Sequence, residues 1–317
     1  MMLVAGPARP GCLVVERATA FVRLTVHSDG EGFRWGRTAG PARPGSLSCA
    51  DPALLALLPD TTATGAVLTL PEVRPPGLVF HTRGSTSLLA AASTGDGPRV
   101  VTEALAATGR ALRALHGVVV PHGTPGAPPA GPVRLSRWLA GAAQTPAAGR
   151  LHVELSARLG PSRVRWLREW TDAVLLGGTT LVHGGPSLGQ IVPPDDGVGP
   201  VAVLTGEDVT AGHPGADLGW LLGELVELGR GGRRSWVGPA AGALVSGYGA
   251  GGAGELPAGT ARACAVRMAT HLHDYAAYVG WHDDLPARLH TIAELVDDPA
   301  AALVRVVAGT HDRQEQP

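Results

Sequence analysis

Apolar positions change their spacing once along the chain. Residues 13–38 carry branched and aromatic side chains in strand-like runs, Thr19–Val26 and Phe33–Thr38. Between them His27–Gly32 is turn chemistry, so the two runs predict a hairpin. Ala66–Leu70 and Gly77–His81 predict two further strands, separated by the Pro-rich Pro71–Pro76. Asp51 opens a short helix over Asp51–Leu58, where its side chain suits the N-cap. After Gly84 the period becomes helical. Val100–His116 places Leu105, Leu112 and Leu115 near one face and stops at Gly117. Residues 117–133 are rich in Gly and Pro and predict a loop. Helical spacing resumes at Leu151–Leu159 and Ser162–Leu176. Leu218, Leu221, Leu222 and Leu225 then mark one face of another helix. Thr180–Val182 and Val201–Leu204 are short apolar runs suited to buried strands. Helices are expected again at Pro239–Tyr248, Pro257–Val279 and Pro286–Leu295, and a frayed polar tail from Gly309.

Strands therefore come first and helices after, with a small hairpin embedded in the helical part. This is an α+β pattern with two unequal lobes, a β-rich one over residues 1–82 and a mainly helical one over 83–317. A chain of 317 residues that is 44% hydrophobic and 17% charged can bury a large core. A net charge of −1 gives no general attraction to nucleic acid or to an anionic membrane. No apolar run approaches the ~18 residues of a membrane span, and Met1–Pro10 is a poor signal peptide, so a cytoplasmic location is expected. Cys12, Cys49 and Cys264 lie far apart, which fits a reduced protein without disulfides. All 26 basic residues are Arg. Any chemistry that needs a lysine amine is excluded.

The run Leu181-Val182-His183-Gly184-Gly185-Pro186-Ser187-Leu188-Gly189-Gln190-Ile191-Val192 resembles the catalytic loop of the aminoglycoside phosphotransferase family, H-G-D-x-x-x-x-N between two short strands. Val203-Leu204-Thr205-Gly206-Glu207 stands where that family carries an apolar pair and a metal-binding Asp. Gly212-His213-Pro214-Gly215-Ala216-Asp217-Leu218 is similar to its G-D-P-x-x-D-L. Upstream, residues 109–116 resemble its helix ending in L-x-x-L-H, and Leu78–Gly84 its strand and hinge between lobes. The resemblance covers residues 78–228 and implies a bilobal, protein-kinase-like fold with a degenerate catalytic loop at 181–208.

The resemblance also shows what is missing. Phosphoryl transfer is largely positioning and charge neutralisation. At the place of the catalytic Asp stands Gly185, at that of the metal-binding Asn stands Gln190, and at that of the metal-binding Asp stands Thr205. No Lys is present to clamp phosphates, and Asp51–Leu58 offers no Glu to pair with one. His183 and Asp217 remain, as a brace of the loop and a support beneath it. The expectation is a catalytically degenerate, pseudokinase-like protein that binds a peptide, a natural-product intermediate or a partner enzyme, with no cofactor. The alternative is an active phosphotransferase using ATP and Mg²⁺, with Glu207 or Asp208 on the metal and Arg34, Arg37 or His81 facing the nucleotide. His27–Gly32 stands where a phosphate loop would lie. A further group, His271, His273, Asp274, His282, Asp283 and Asp284, has metal-binding side chains but poor spacing. No Ser-His-Asp or thiolate pattern points to other chemistry.

Overall fold

The computed structural model describes residues 11–43, 45–92, 97–229 and 235–308. The opening segment Met1–Pro10 and the tail from Gly309 lie outside them. Strands β1 (Leu13–Ala18), β2 (Val22–Ser28) and β3 (Phe33–Ala39) are followed by helix α1 (Pro52–Leu55) and strands β4 (Ala66–Thr69), β5 (Glu72–Arg74) and β6 (Gly77–Thr82). Five of the strands make one antiparallel sheet, in the order β1-β2-β3-β6-β5. The run Thr19–Val26, expected as one strand, opens with a turn over Thr19–Phe21 and enters β2 only at Val22. Thr19 Oγ1 accepts hydrogen bonds from the backbone N–H of Phe21 at 3.2 Å and of Val22 at 3.1 Å, which bends the chain locally. β5 was not expected. It is a fully exposed edge strand within the Pro-rich segment, so it has neither the pattern nor the composition of a buried strand.

β4 does not join that sheet. It pairs in parallel with β9 (Val201–Leu204), which in turn pairs with β8 (Ile191–Val192). β7 (Thr180–Val182) and β10 (Thr210–Gly212) form a separate two-stranded ladder. The remaining elements are helices: α2 (Leu88–Ala91), α3 (Gly97–His116), α4 (Ala130–Leu139), α5 (Pro146–Leu175), α6 (Pro214–Gly229), α7 (Val237–Tyr248), α8 (Thr260–Tyr278), α9 (Leu285–Asp297) and α10 (Pro299–Val307). α5 is one element broken at Gly160 and Pro161, which is why the sequence reads as two helices there. α1 is capped as expected, Asp51 Oδ1 accepting from Ala53 N at 2.8 Å.

Two apolar cores result. The smaller one joins Val26, Trp35, Leu78 and Phe80 of the five-stranded sheet to Val192, Ala202 and Leu204 of the β8–β9 hairpin. The larger one fills the helical part and takes in Leu54, Ala66 and Leu68 from α1 and β4. The sheet is thus seated on the β8–β9 hairpin, with the loop 183–190 opening beside the junction. Among the described residues, no helix is long and apolar enough to cross a membrane.

Candidate functional site

A cavity of about 360 Å³ lies at that junction. Phe21, Val22, Leu24, Trp35 and Arg37 line it from the sheet, and the loop contributes Gly184, Gly185, Ser187, Gly189 and Gln190. Leu204, Glu207 and Asp208 follow from the end of β9. The opposite wall is helical. Arg267, Thr270, His271 and Asp274 lie at i, i+3, i+4 and i+7 of α8, with Arg134 of α4 and Trp220 of α6 beside them.

The loop is held from beneath. Asp217, at the start of α6, is fully buried and accepts from His183 N at 2.7 Å and Gly184 N at 2.9 Å. His116, the last residue of α3, donates to the same carboxylate through Nε2 at 3.0 Å. Burial works against ionisation of Asp217, but the His116 hydrogen bond and the charges of His116 and His183 hold its carboxyl below the usual range. His183 Nε2 donates to Leu204 O at 3.1 Å, tying the loop to β9.

Above this support the expected catalytic and metal positions are bare or committed. Gly185 has φ 140°, a conformation side-chain-bearing residues rarely adopt, and a Cβ there would contact the Trp220 indole at 3.4 Å. Thr205 is 1% exposed, and its hydroxyl donates to Val203 O at 2.7 Å. Its backbone N–H donates to Thr69 O of β4 at 2.9 Å. Gln190 Oε1 accepts from Ser187 Oγ at 3.0 Å. Glu207 forms an ion pair with Arg37, and its other oxygen is 4.0 Å from Arg43. Asp208 Oδ1 accepts from Ala130 N at 3.0 Å, at the start of α4.

Of the residues expected to face a nucleotide, only Arg37 lines the cavity. β3 alternates, so Arg34 points to the outer face of the sheet, opposite its cross-strand partner His81. His81 is exposed, 3.7 Å from Asp29 and 3.4 Å from Glu72. The turn His27–Gly32 is also away from the cavity. The turn that overhangs it is Thr19–Phe21, and this turn is docked. Ala20 N donates to Tyr278 O at 3.3 Å, and the Phe21 ring lies 4.5 Å from the Tyr278 ring. At the inner end, Trp35 Nε1 donates to Gly84 O at 2.8 Å, and the same carbonyl accepts from Thr82 Oγ1 at 2.7 Å.

The group near the chain end does not assemble as a metal centre. His271 Nδ1 is 2.7 Å from the Glu227 carboxylate, while His273 Nδ1 is 2.9 Å from Asp274, which also holds Arg134. Among the described residues, no cluster of three or more His, Cys, Asp or Glu side chains is arranged to hold a metal ion. The residues that sequence reasoning missed are Phe21, Arg43, Arg134 and Arg267. Arg134 and Arg267 project from helices with unremarkable periodicity, and Arg43 follows β3 in irregular structure, so no local pattern marks them.

The phosphotransferase enzyme family model (APH) matches residues 56–264. Among solved structures, the chain is similar to a choline/ethanolamine kinase family protein from Mesorhizobium loti, with TM-score 0.51 and 17% identity over 97% of this chain and 95% of that one. It is similar to Plasmodium vivax ethanolamine kinase, with TM-score 0.54 and 10% identity over 90% and 82%. Spectinomycin phosphotransferase, solved with ADP and spectinomycin, gives TM-score 0.50 and 8% identity over 91% and 92%. At these identities the likeness is one of fold. No curated protein sequence is significantly similar to the chain.

Proposed function

The chain belongs to the phosphotransferase enzyme family, and we propose that it is a degenerate member that binds a ligand or partner in the family's cleft instead of transferring phosphate. One observation carries this reading. Gly185 has no side chain there, and Thr205, Gln190, Glu207 and one oxygen of Asp208 are already engaged by the protein. Mg²⁺ requires hard oxygen ligands in near-octahedral array. Thr205 turns its hydroxyl back on β9, Gln190 is engaged by Ser187, and Glu207 neutralises Arg37. The last pairing also removes the guanidinium that would have faced the phosphates. The residues present do not fit a magnesium triphosphate.

The inner end of the cleft points the same way. Trp35 is buried there with its indole on the Gly84 carbonyl, so a flat base cannot stack in that place or use that carbonyl without displacing it. The remaining cavity is at the lower end of the ~300–1,000 Å³ range of small-molecule sites. It suits a binding role toward a biosynthetic intermediate, a short peptide segment or a partner enzyme. Isothermal titration with ATP and magnesium tests the reading. No binding in the micromolar range is expected, and tight binding that requires magnesium overturns it.

A further inference from the structure

We propose that the cavity binds a small organic acid, an oxyanion on a flat apolar body, with Arg43 and Arg267 as the groups that recognise the anion. The proposal rests on the binding role argued above and names its ligand class. Its basis is an imbalance in close ion pairing. Four guanidinium groups line the cavity, and two of them are engaged there. Arg37 is paired with Glu207, and Arg134 holds both oxygens of Asp274, with Nε donating at 3.0 Å. The carboxylates of the lining are partly used. Glu207 and Asp274 have their arginines, and Asp208 holds the N–H of Ala130.

Arg43 and Arg267 differ. The nearest carboxylate oxygen to Arg43 belongs to Glu207 and is 4.0 Å away, beyond hydrogen-bond reach. Its guanidinium packs 4.8 Å above the Phe21 ring centroid. Burial is the main cause that lowers its pKa; Glu207 and Asp208 pull it up, and Arg37 and Arg134 push it down. Arg267 is 8% exposed, and its Nη1, like the ion-paired Nη1 of Arg37, is buried with no hydrogen-bond acceptor. Its two carboxylates, Glu224 and Glu227, stand at 3.9 and 3.7 Å. Glu224 is also engaged by Leu188 N, and Glu227 by His271 and Arg288. Buried donors without an acceptor are rare in folded proteins, and each calls for a missing partner. Arginine cannot shed its proton to relieve the deficit. A ligand that brings acceptor oxygens does relieve it.

The rest of the cavity fits the body of such a ligand. Phe21, Val22, Leu24 and Leu204 give an apolar ceiling, and the Trp220 ring offers a flat face. A polycation finds no free carboxylate pair in this lining.

The test uses naphthoate as probe, with neutral naphthamide and cationic naphthylmethylamine as controls, titrated calorimetrically into the full chain. Naphthoate is expected to bind at least about tenfold more tightly than either control, the scale of one charge-assisted hydrogen bond. Arg43→Gln should weaken naphthoate about tenfold, and Arg34→Gln, on the outer face, should leave it unchanged. Arg267→Gln is expected to weaken it as well, and Arg267→Lys serves where the uncharged variant does not fold. Equal binding of naphthamide, or full naphthoate affinity in Arg43→Gln, overturns the proposal. Tight ATP binding overturns the parent reading instead and is told apart by its magnesium requirement, because naphthoate binding requires none.

Discussion

Asp217 decides whether the loop 183–185 keeps its shape. Three donors converge on its fully buried carboxylate: the N–H groups of His183 and Gly184 and the His116 imidazole. Truncation removes all three bonds at once and leaves buried donors with no water to turn to. Asp217→Ala should therefore cost about 3–5 kcal/mol, the scale of breaking a buried pair. Urea unfolding at neutral pH measures this through the midpoint. Asp217→Asn keeps an acceptor oxygen and should lose less. The pH dependence has a definite sign. The folded carboxyl titrates below its ordinary value of about 4, so its contribution is complete above that pH and is lost as the pH falls through the folded value. The wild-type chain should destabilise on acidification below about pH 4, and Asp217→Asn should show a flatter profile there. A wild-type profile as flat as that of the variant would remove the ionised Asp217 from the account.

At the scale of elements, the close approach of α3 and α7 ties the His116 end of the site to the helical core. Gly109 of α3 faces α7 so tightly that a Cβ would lie 2.4 Å from Leu244 O and 2.8 Å from Tyr248 N. Gly247 returns the contact, a Cβ there meeting Ala106 O at 2.2 Å. These are backbone atoms that cannot rotate away, so Gly109→Ala should destabilise by about 1–3 kcal/mol despite its better helix propensity. A thermal midpoint equal to or above wild type would contradict the packing. The helices around this contact were legible in the sequence because each shows one apolar face to a core. So was Asp217, through its motif spacing. Other features were not legible, for physical reasons. α10 spans only nine residues, and its apolar run Leu303-Val304-Arg305-Val306-Val307 suits a strand as well as a helix. The choice between Arg34 and Arg37 depends on strand parity, which a one-residue uncertainty inverts. The docking of Phe21 on Tyr278 joins residues 257 positions apart, and no local pattern encodes it. The absent acid at 185 was legible, whereas the use of Glu207 to neutralise Arg37 required the fold.

At the scale of the molecule, the sheet and the helical part are connected at more places than the covalent link at 82–85. β4 pairs with β9, Ala20 and Phe21 dock on the end of α8, and Arg37 meets Glu207 across the cleft. The smaller core even shares Val192, Ala202 and Leu204 with the β8–β9 hairpin, so neither part completes its apolar packing alone. Unfolding should accordingly be one transition. Far-UV circular dichroism reports chiefly on the helices, and tryptophan fluorescence includes Trp35 in the smaller core. The two denaturation curves should superimpose. The Arg37–Glu207 pair allows a sharper test, because Glu207 is only 10% exposed and its loss strands a guanidinium that already has Arg43 beside it. Glu207→Leu should lose about 3–5 kcal/mol, whereas Arg37→Leu combined with Glu207→Leu should recover most of that loss. Recovery would mean that the pair holds the cleft closed chiefly by avoiding an unpaired charge, so an apolar contact could replace it. If the double variant remained as unstable as the single one, the ion pair would itself be the fastening between sheet and helices.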